Sequence, residues 1–241
     1  MNTLPLFASG STLAILGLGF LLGLKHATEA DHLAAVSTMV TERKSFWSSA
    51  LVGGLWGLGH TISLFAAGIF VLLLDFEISE TNERWLEFGV GIMLTLLGLN
   101  VIRKLAAGGK LHFHSHGHGG HVHAHPHIHG NAEAEIDGTH HGFKFSPRAL
   151  LIGMVHGLAG SAALMLLVIP TIGSRTIGLV YVVVFGVGSI GGMMLMSFLV
   201  GLPFHFTAVR FNRFNSVLQA GSGLVSVLLG LWIVYEKGFT A

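Results

Sequence analysis

Long apolar stretches separated by short polar ones dominate the chain. A helix needs about 20 largely apolar residues to cross roughly 30 Å of hydrocarbon. Six stretches have about this length, namely residues 11–40, 47–74, 85–102, 149–170, 176–201 and 214–235. A polar stretch, residues 103–148, separates the third from the fourth. The pattern therefore predicts six membrane-spanning helices with one long loop in the middle.

The composition agrees with a lipid environment. Hydrophobic residues make up 51% and charged residues 10% of the 241 positions, with a mean hydropathy of +0.70. Such a chain cannot cover its apolar side chains in water, so we predict an all-α integral membrane protein. The net charge of +1 provides no basic surface for nucleic acid. The absence of cysteine excludes disulfides and thiolate metal sites.

The two halves of the chain resemble each other in three collinear places, at offsets of 130, 129 and 132 residues. The aligned pairs are GLKHATEADHLAAV (23–36) with GMVHGLAGSAALML (153–166), GLGHT (57–61) with GVGSI (186–190), and GVGIMLTLLGL (89–99) with GSGLVSVLLGL (221–231). Because three crossings are an odd number, the second copy must insert upside down. The sequence thus predicts six transmembrane helices as a 3+3 inverted repeat, an architecture of many secondary transporters.

This repeat divides the chain into three parts. We predict a first three-helix repeat in residues 1–105, a His-rich loop in 106–146 and a second three-helix repeat in 147–241. The positive-inside rule sets the orientation. Nine lysines and arginines fall on the loop side and three on the other side. We therefore expect an inner-membrane, multi-pass protein with both termini outside and the loop in the cytoplasm.

The stretch HATEADH, residues 26–32, concentrates ionisable residues in this apolar chain. It is either a polar loop that follows a first span at residues 4–24, or part of a span. The repeat favours the second interpretation, because an offset of 130 residues makes 19–40 the equivalent of the apolar segment 149–170, which contains His156. His60 lies in the middle of the second span. Ionisable groups at this depth face a cavity or a partner and are functional by default.

Helix geometry tests whether one face can gather these side chains. At about 100° per residue, His26, Glu29 and His32 share a broad face, whereas Asp31 points elsewhere. Either the helix is unwound here, or Asp31 orients a neighbouring histidine as a hydrogen-bond acceptor. Glu29 also has Lys25 four residues earlier, so a plain ion pair is its simpler role.

The loop is rich in histidine. Nine histidines, mostly alternating, fall in the sequence LHFHSHGHGGHVHAHPHIHG, at His112, His114, His116, His118, His121, His123, His125, His127 and His129. Neutral imidazole suits nickel, copper, zinc and cobalt. Such a flexible, glycine-containing segment is either a solvated low-complexity linker or a metal buffer with many interchangeable weak sites, and we favour the buffer.

Several of these motifs resemble a known family. KHATEADH, with the pattern His26-x4-Asp31-His32, resembles the RHA-x-DADH signature of the nickel/cobalt transporter family, and LGHT at 58–61 resembles the LGHS motif of its next helix. HGLAGSAAL at 156–164 is similar to the short, six-span urease-accessory-type nickel permeases. The resemblance implies that His26, Asp31, His32 and His60 recognise Ni²⁺ or Co²⁺. Lys25 and Glu29 replace the arginine and aspartate of the signature, and the acidic residues of longer members are absent from 149–170 and 176–201.

Together these features predict a secondary transporter that carries nickel or cobalt across the cell membrane and has no catalytic cofactor. His26, Glu29, Asp31, His32, His60 and His156 are its expected metal ligands. The alternatives are a metal efflux pump of the same fold, a membrane-embedded metal-dependent enzyme that pairs Ser161 with His156, and a metal sensor that works through the loop. Expected partners are the divalent ion and the lipid bilayer; a second copy of the chain and a cytoplasmic metallochaperone are further candidates.

Overall fold

The computed structural model describes residues 6–41, 43, 45–74, 79–107, 112–118, 121–127, 147–158, 174–210 and 212–240. Seven helices and two strands occur in this part of the chain. In chain order they are α1 (Leu6–His26), α2 (Ala30–Val40), α3 (Phe46–Leu74), α4 (Glu80–Ala106), β1 (His112–His118), β2 (His121–His127), α5 (Pro147–Gly157), α6 (Arg175–Arg210) and α7 (Asn212–Phe239).

Four of the described helices are long and apolar enough to cross a membrane, and the bent pair α1 and α2 makes a fifth if it counts as one span. The four long stretches are Phe46–Ile69, Glu80–Ala106, Arg175–Thr207 and Arg213–Phe239. The chain is thus a multi-pass membrane protein. The predicted fourth span is only partly described, because α5 has 11 residues and residues 159–173 lie outside the described part.

The surface of the helices is apolar and their interior is polar, the reverse of a water-soluble protein. Leu13, Leu96 and Val217 are each more than 60% exposed. The buried side chains include histidines, serines and threonines. Lipid tails solvate an apolar exterior but not hydrogen-bonding groups, so this distribution suits a bundle embedded in a bilayer.

The first predicted span, residues 11–40, is not one continuous helix. The chain leaves the helical conformation after His26, Glu29 is extended (φ −67°, ψ 151°), and α2 continues at an angle of 55°. At the break, the Thr28 hydroxyl donates a hydrogen bond to the Lys25 carbonyl oxygen (2.6 Å). Because freed backbone groups inside a membrane need such partners, the break is tolerated only where protein supplies them.

The helices pack in an ordered set of pairs. α3 packs along α6, α4 along α7, α1 on α6 and α5 on α3. The α4 and α7 pair touches the remaining helices mainly through α2 and the side of α6. A cleft between this pair and the α1–α2 break is therefore left within the bundle.

Close backbone packing positions α5 on α3. A Cβ atom on Gly153 would overlap the carbonyl oxygen of Trp56 and lie 3.0 Å from the backbone nitrogen of His60. We expect Gly153→Ala to push α5 away from α3, displace His156 and lower stability by about 1–3 kcal/mol, because backbone atoms cannot yield cheaply. Thermal unfolding of the detergent-solubilised protein measures this.

Gly191→Ala on α6 is the matched control, since no described atom outside its local backbone lies within 4 Å of a Cβ placed there. We expect this variant to unfold at the wild-type temperature. Equal losses in the two variants would contradict the role of close packing at Gly153.

The predicted flexible loop contains a two-stranded antiparallel hairpin, which corrects the all-α prediction outside the membrane part. Its register pairs His112 with His127, His114 with His125, His116 with His123 and His118 with His121. The alternation of histidine with other residues is the period-two pattern that favours strands. That signal was present in the sequence beside the low-complexity composition.

Candidate metal site

Three helices and one helix break bring the ionisable groups of the membrane part together. His26 is the last residue of α1, His32 lies in the first turn of α2, His60 is at the centre of α3, and His156 lies near the end of α5. All four are at most 2% exposed. The break after His26 lets two histidines six residues apart face the same space, which a straight helix would do only loosely.

The imidazoles form one contiguous cluster. Nε2 of His26 lies 3.2 Å from Nε2 of His60. The ring centroids of His26 and His32 are 4.2 Å apart, and those of His32 and His156 are 4.3 Å apart. In two groups of three residues the donor atoms all lie within 4.8 Å of one another and could hold a metal ion: His26, His32 and His60, and Asp31, His32 and His156.

Asp31 fixes the orientation of two of these rings. Its Oδ1 lies 2.9 Å from Nδ1 of His32, and its Oδ2 lies 2.9 Å from Nε2 of His156. An ionised carboxylate only accepts hydrogen bonds, so both of these ring nitrogens carry the proton. The lone pairs are then on Nε2 of His32 and Nδ1 of His156. Both atoms are buried and have no hydrogen-bond partner among the described residues.

Glu29 lies at the edge of the cluster. Its Oε2 is 3.0 Å from Nδ1 of His26, yet that nitrogen makes no hydrogen bond of acceptable geometry. The contact is therefore a close charge-assisted approach, and the hydrogen bond, which needs alignment as well as distance, is absent. The side chain of Glu29 is 39% exposed, in contrast to the buried histidines.

The donor set fits a divalent transition metal. Imidazole nitrogens suit nickel, cobalt, zinc and copper, whereas calcium and magnesium prefer oxygen ligands. Unpaired lone pairs buried at membrane depth are costly, and an ion that binds them removes that cost. An Asp31 carboxylate that holds the far nitrogen of a ligand histidine is also the usual support of metal-binding imidazoles.

Trp56 and Phe185 line the cluster although the sequence analysis does not name them. The ring of Trp56 lies 5.3 Å from that of His32 and 5.5 Å from that of His156, and Phe185 lies 5.7 Å from His26. Trp56 precedes His60 by four residues, so helical spacing already places both on one face of α3. Phe185 has no such local signal.

All six residues predicted to bind metal in the membrane part lie in this cluster or at its edge. The nine loop histidines do not join it within the described residues. Eight of them belong to the hairpin strands, and His129 lies outside the described residues, as does Ser161. The role of each residue as a metal ligand stays a prediction.

Fold and site together define a class: a multi-pass helical membrane protein with a buried group of side chains that could hold a metal ion. Known proteins narrow this class. The urease accessory protein UreH of Bacillus sp. strain TB-90 is 39% identical over 230 residues, which are 95% of this chain and 93% of that protein. The chain therefore belongs to the family of UreH, and the resemblance to urease-accessory-type members of the nickel/cobalt transporter family is confirmed.

Two further relatives are more distant. The Arabidopsis thaliana chloroplast protein FOR GROWTH AND FERTILITY 1 is 28% identical over 98% of this chain and 64% of its own length. The high-affinity nickel transport protein of Cupriavidus necator is 30% identical over 35% of this chain and 25% of its own length. No family model matches the chain, and no solved structure matches it. Its family is one of transport and accessory proteins, and the chain is not an enzyme.

Proposed function

We propose that the protein carries Ni²⁺, with Co²⁺ as the second candidate, across the cell membrane. The observation that carries this proposal is the group of three buried imidazoles, His26, His32 and His60, whose donor nitrogens lie within 4.8 Å of one another at a broken helix. Ionisable side chains at such depth mark an ion pathway by default. A broken helix at the same place is typical of transporter sites.

The spacing of the nitrogens supports a shared ion. Metal–imidazole bonds are about 2.0–2.1 Å long, so two neighbouring nitrogens on one ion lie roughly 2.8–3.4 Å apart. The 3.2 Å between Nε2 of His26 and Nε2 of His60 falls in that range. His32, with its Nδ1 held by Asp31, directs its other nitrogen as the third ligand. His156 completes the path beside Asp31.

The relatives favour nickel as the ion. One is named a urease accessory protein and another a high-affinity nickel transport protein. The chain has no cysteine, so soft thiolate sites for copper(I) are absent from its sequence. Cobalt shares the ligand preference of nickel and stays the alternative cargo.

A pseudo-symmetric contact pattern supports the inverted repeat. Gly23 on α1 packs against the backbone of Phe185 on α6, and Gly153 on α5 packs against the backbone of Trp56 on α3. Position 153 is position 23 plus 130, and position 185 is position 56 plus 129. Each contact therefore has a mate in which the two halves exchange roles.

The same exchange relates α4 and α7. Gly91 meets Gly230, and Gly98 meets Gly223. The offset of 132 residues turns 91 into 223 and 98 into 230, so one contact becomes the other. Two halves related in this way can rock about the site that lies between them, which is how many carriers alternate their access.

The carrier interpretation requires two compartments. We expect wild-type protein in sealed proteoliposomes to accumulate radioactive Ni²⁺, and permeabilised vesicles to retain only the stoichiometric amount bound. An enzyme or a sensor would not depend on the seal. Net Ni²⁺ loading of cells that express the protein decides between uptake and efflux. Equal retention by sealed and permeabilised vesicles would remove the transport proposal.

The hairpin supports metal buffering by the loop. Its register sets eight histidines into four directly opposed pairs, and opposed residues of antiparallel strands have Cα atoms about 4.5–5.5 Å apart. A metal ion that bridges such a pair needs no further folding of the segment. With the loop in the cytoplasm, the buffer would hold metal on that side of the membrane.

Deletion of residues 110–142 separates the loop from the carrier. We expect the shortened protein to transport Ni²⁺ in proteoliposomes with an altered apparent affinity, because the buried cluster lies in the helices. Cells that express it should tolerate less nickel, since the loop no longer binds it. Complete loss of transport from a well-folded deletion variant would favour the sensor alternative.

A further inference from the structure

A cavity of about 320 Å³ opens beside the histidine cluster, in the cleft between the α4–α7 pair and the α1–α2 break. His26, His32 and His156 line its inner end together with Asp31. Its outer end is formed by the first third of α4 and the last third of α7. The cavity therefore leads from the buried imidazoles to the face of the bundle at which α4 begins and α7 ends.

The walls of this cavity are acidic. Glu29, Asp31, Glu87 and Glu236 line it, and Lys237 is the single lysine or arginine among the lining residues, so the cavity has a net charge of about −3 with neutral histidines. The ammonium of Lys237 lies 2.5 Å from Oε2 of Glu87 and joins α7 to α4. In the absence of metal, the lysine thus occupies a carboxylate that a cation would seek.

The opposite face of the bundle has the opposite charge. A small pocket of about 60 Å³, formed where α4 ends and α5 begins, is lined by Arg43, Lys104 and Arg148 and by no carboxylate. This face also leads into the His-rich loop. The bundle is thus open and negative at one face and nearly closed and positive at the other.

We propose that the larger cavity is the vestibule through which the divalent cation reaches the histidines, and that Glu87 and Glu236 are its first binding residues. This inference rests on the proposed function, because it names the approach to the same site. The acidic residues alone would not carry it. The second observation is that His32, 1% exposed with no hydrogen-bond partner for its Nε2, lines the inner end of the same cavity.

The mechanism of the vestibule is electrostatic. Negative charge in a cleft with low-dielectric walls concentrates cations and raises association rates by about 10- to 1,000-fold. An arriving dication competes with Lys237 for Glu87, because it carries twice the charge of the ammonium. Once Lys237 is displaced, the ion has carboxylate oxygens along the way from Glu236 to Asp31. The vestibule therefore determines the rate at low metal concentration rather than the affinity of the histidine cluster.

Cysteine accessibility tests the vestibule directly, because the natural chain contains no cysteine. Val90 on α4 lines the cavity and is 4% exposed, whereas Leu96 on the same helix is 61% exposed on the apolar exterior. In proteoliposomes, Val90→Cys should react with membrane-impermeant thiol reagents from the face at which α4 begins. A cationic reagent should react at least about tenfold faster than an anionic one of similar size. Leu96→Cys, which faces lipid, should react with neither.

Two additions make the result specific. Ni²⁺ should slow the reaction of Val90→Cys, and the further substitutions Glu87→Gln and Glu236→Gln should abolish the preference for the cationic reagent. Glu80→Gln, an exposed residue of α4 that does not line the cavity, is the matched control and should leave the preference unchanged.

The outcomes separate the two proposals when Ni²⁺ binding is measured on the same protein. If Ni²⁺ binds but Val90→Cys reacts without charge preference and without protection, the vestibule is wrong and the carrier proposal stands. If Ni²⁺ does not bind although the cationic reagent is preferred, the cavity is an open acidic cleft and the proposed function fails. Charge preference together with protection by Ni²⁺ supports both.

Discussion

Replacement of His60 by alanine abolishes nickel accumulation, while the protein is still produced and inserted at normal levels. His60 supplies one of three clustered imidazoles, and its Nε2 is 3.2 Å from that of His26. Loss of a residue that merely supports a ligand typically weakens metal binding by about 10- to 100-fold, so loss of a ligand itself should cost more. We expect His26→Ala and His32→Ala to behave in the same way in a radioactive nickel uptake assay.

His205→Ala is the matched control for these variants. His205 also lies in a long helix, but its ring packs against Phe46 and Phe206, away from the cluster. Its substitution should leave accumulation unchanged. Binding can be followed separately by quenching of Trp56 fluorescence, since that ring lies 5.3 Å from His32. Wild-type uptake by the three cluster variants would end the proposal that these histidines recognise the ion.

The second large effect is expected for Asp31→Asn. The carboxylate accepts a hydrogen bond from each of His32 and His156, at 2.9 Å in both cases. The amide of asparagine has only one accepting oxygen, so its NH₂ group would face one of the two ring N–H groups. That imidazole must then turn or change its tautomer, and its metal-binding nitrogen moves. We expect the apparent affinity for Ni²⁺ to fall by about 10- to 100-fold.

The kinetic pattern distinguishes this role from a general loss of folding. A positioning residue should raise the KM for nickel far more than it lowers the maximal rate per folded molecule. Asp31→Glu keeps both accepting oxygens, so it should recover part of the affinity that Asp31→Asn loses. A uniform loss of folded protein in both variants, with normal KM in the remainder, would assign Asp31 a purely structural role.

Much of the site was predictable because lipid makes ionisable residues conspicuous. A histidine in an uncharged apolar segment, such as His60, has no water to solvate it, so its presence alone indicates a function. His26, Asp31 and His32 are close together in sequence and form a motif. The same reasoning led to the expectation that Asp31 either lies at an unwound helix or orients a histidine, and the structure contains both the break and the hydrogen bonds.

Other parts were not predictable because they depend on distant segments. Asp31 and His156 are 125 residues apart and meet only because glycines let α5 lie directly on α3. The ion pair of Lys237 with Glu87 joins two helices whose sequences contain no hint of each other. The hairpin was missed for a different reason, because a glycine-containing, histidine-rich composition obscured a period-two pattern that was present.

The sequence by itself determined the solvent, the approximate lengths of the apolar segments and the identity of the intramembrane imidazoles. These properties follow from the cost of transferring each side chain into hydrocarbon, which is local to the residue. Only the tertiary structure decided where the first span breaks, which nitrogens Asp31 holds and which carboxylates share a cavity with the histidines. Those features depend on how closely the helix backbones approach, and that distance is set by the packing of both halves of the chain at once.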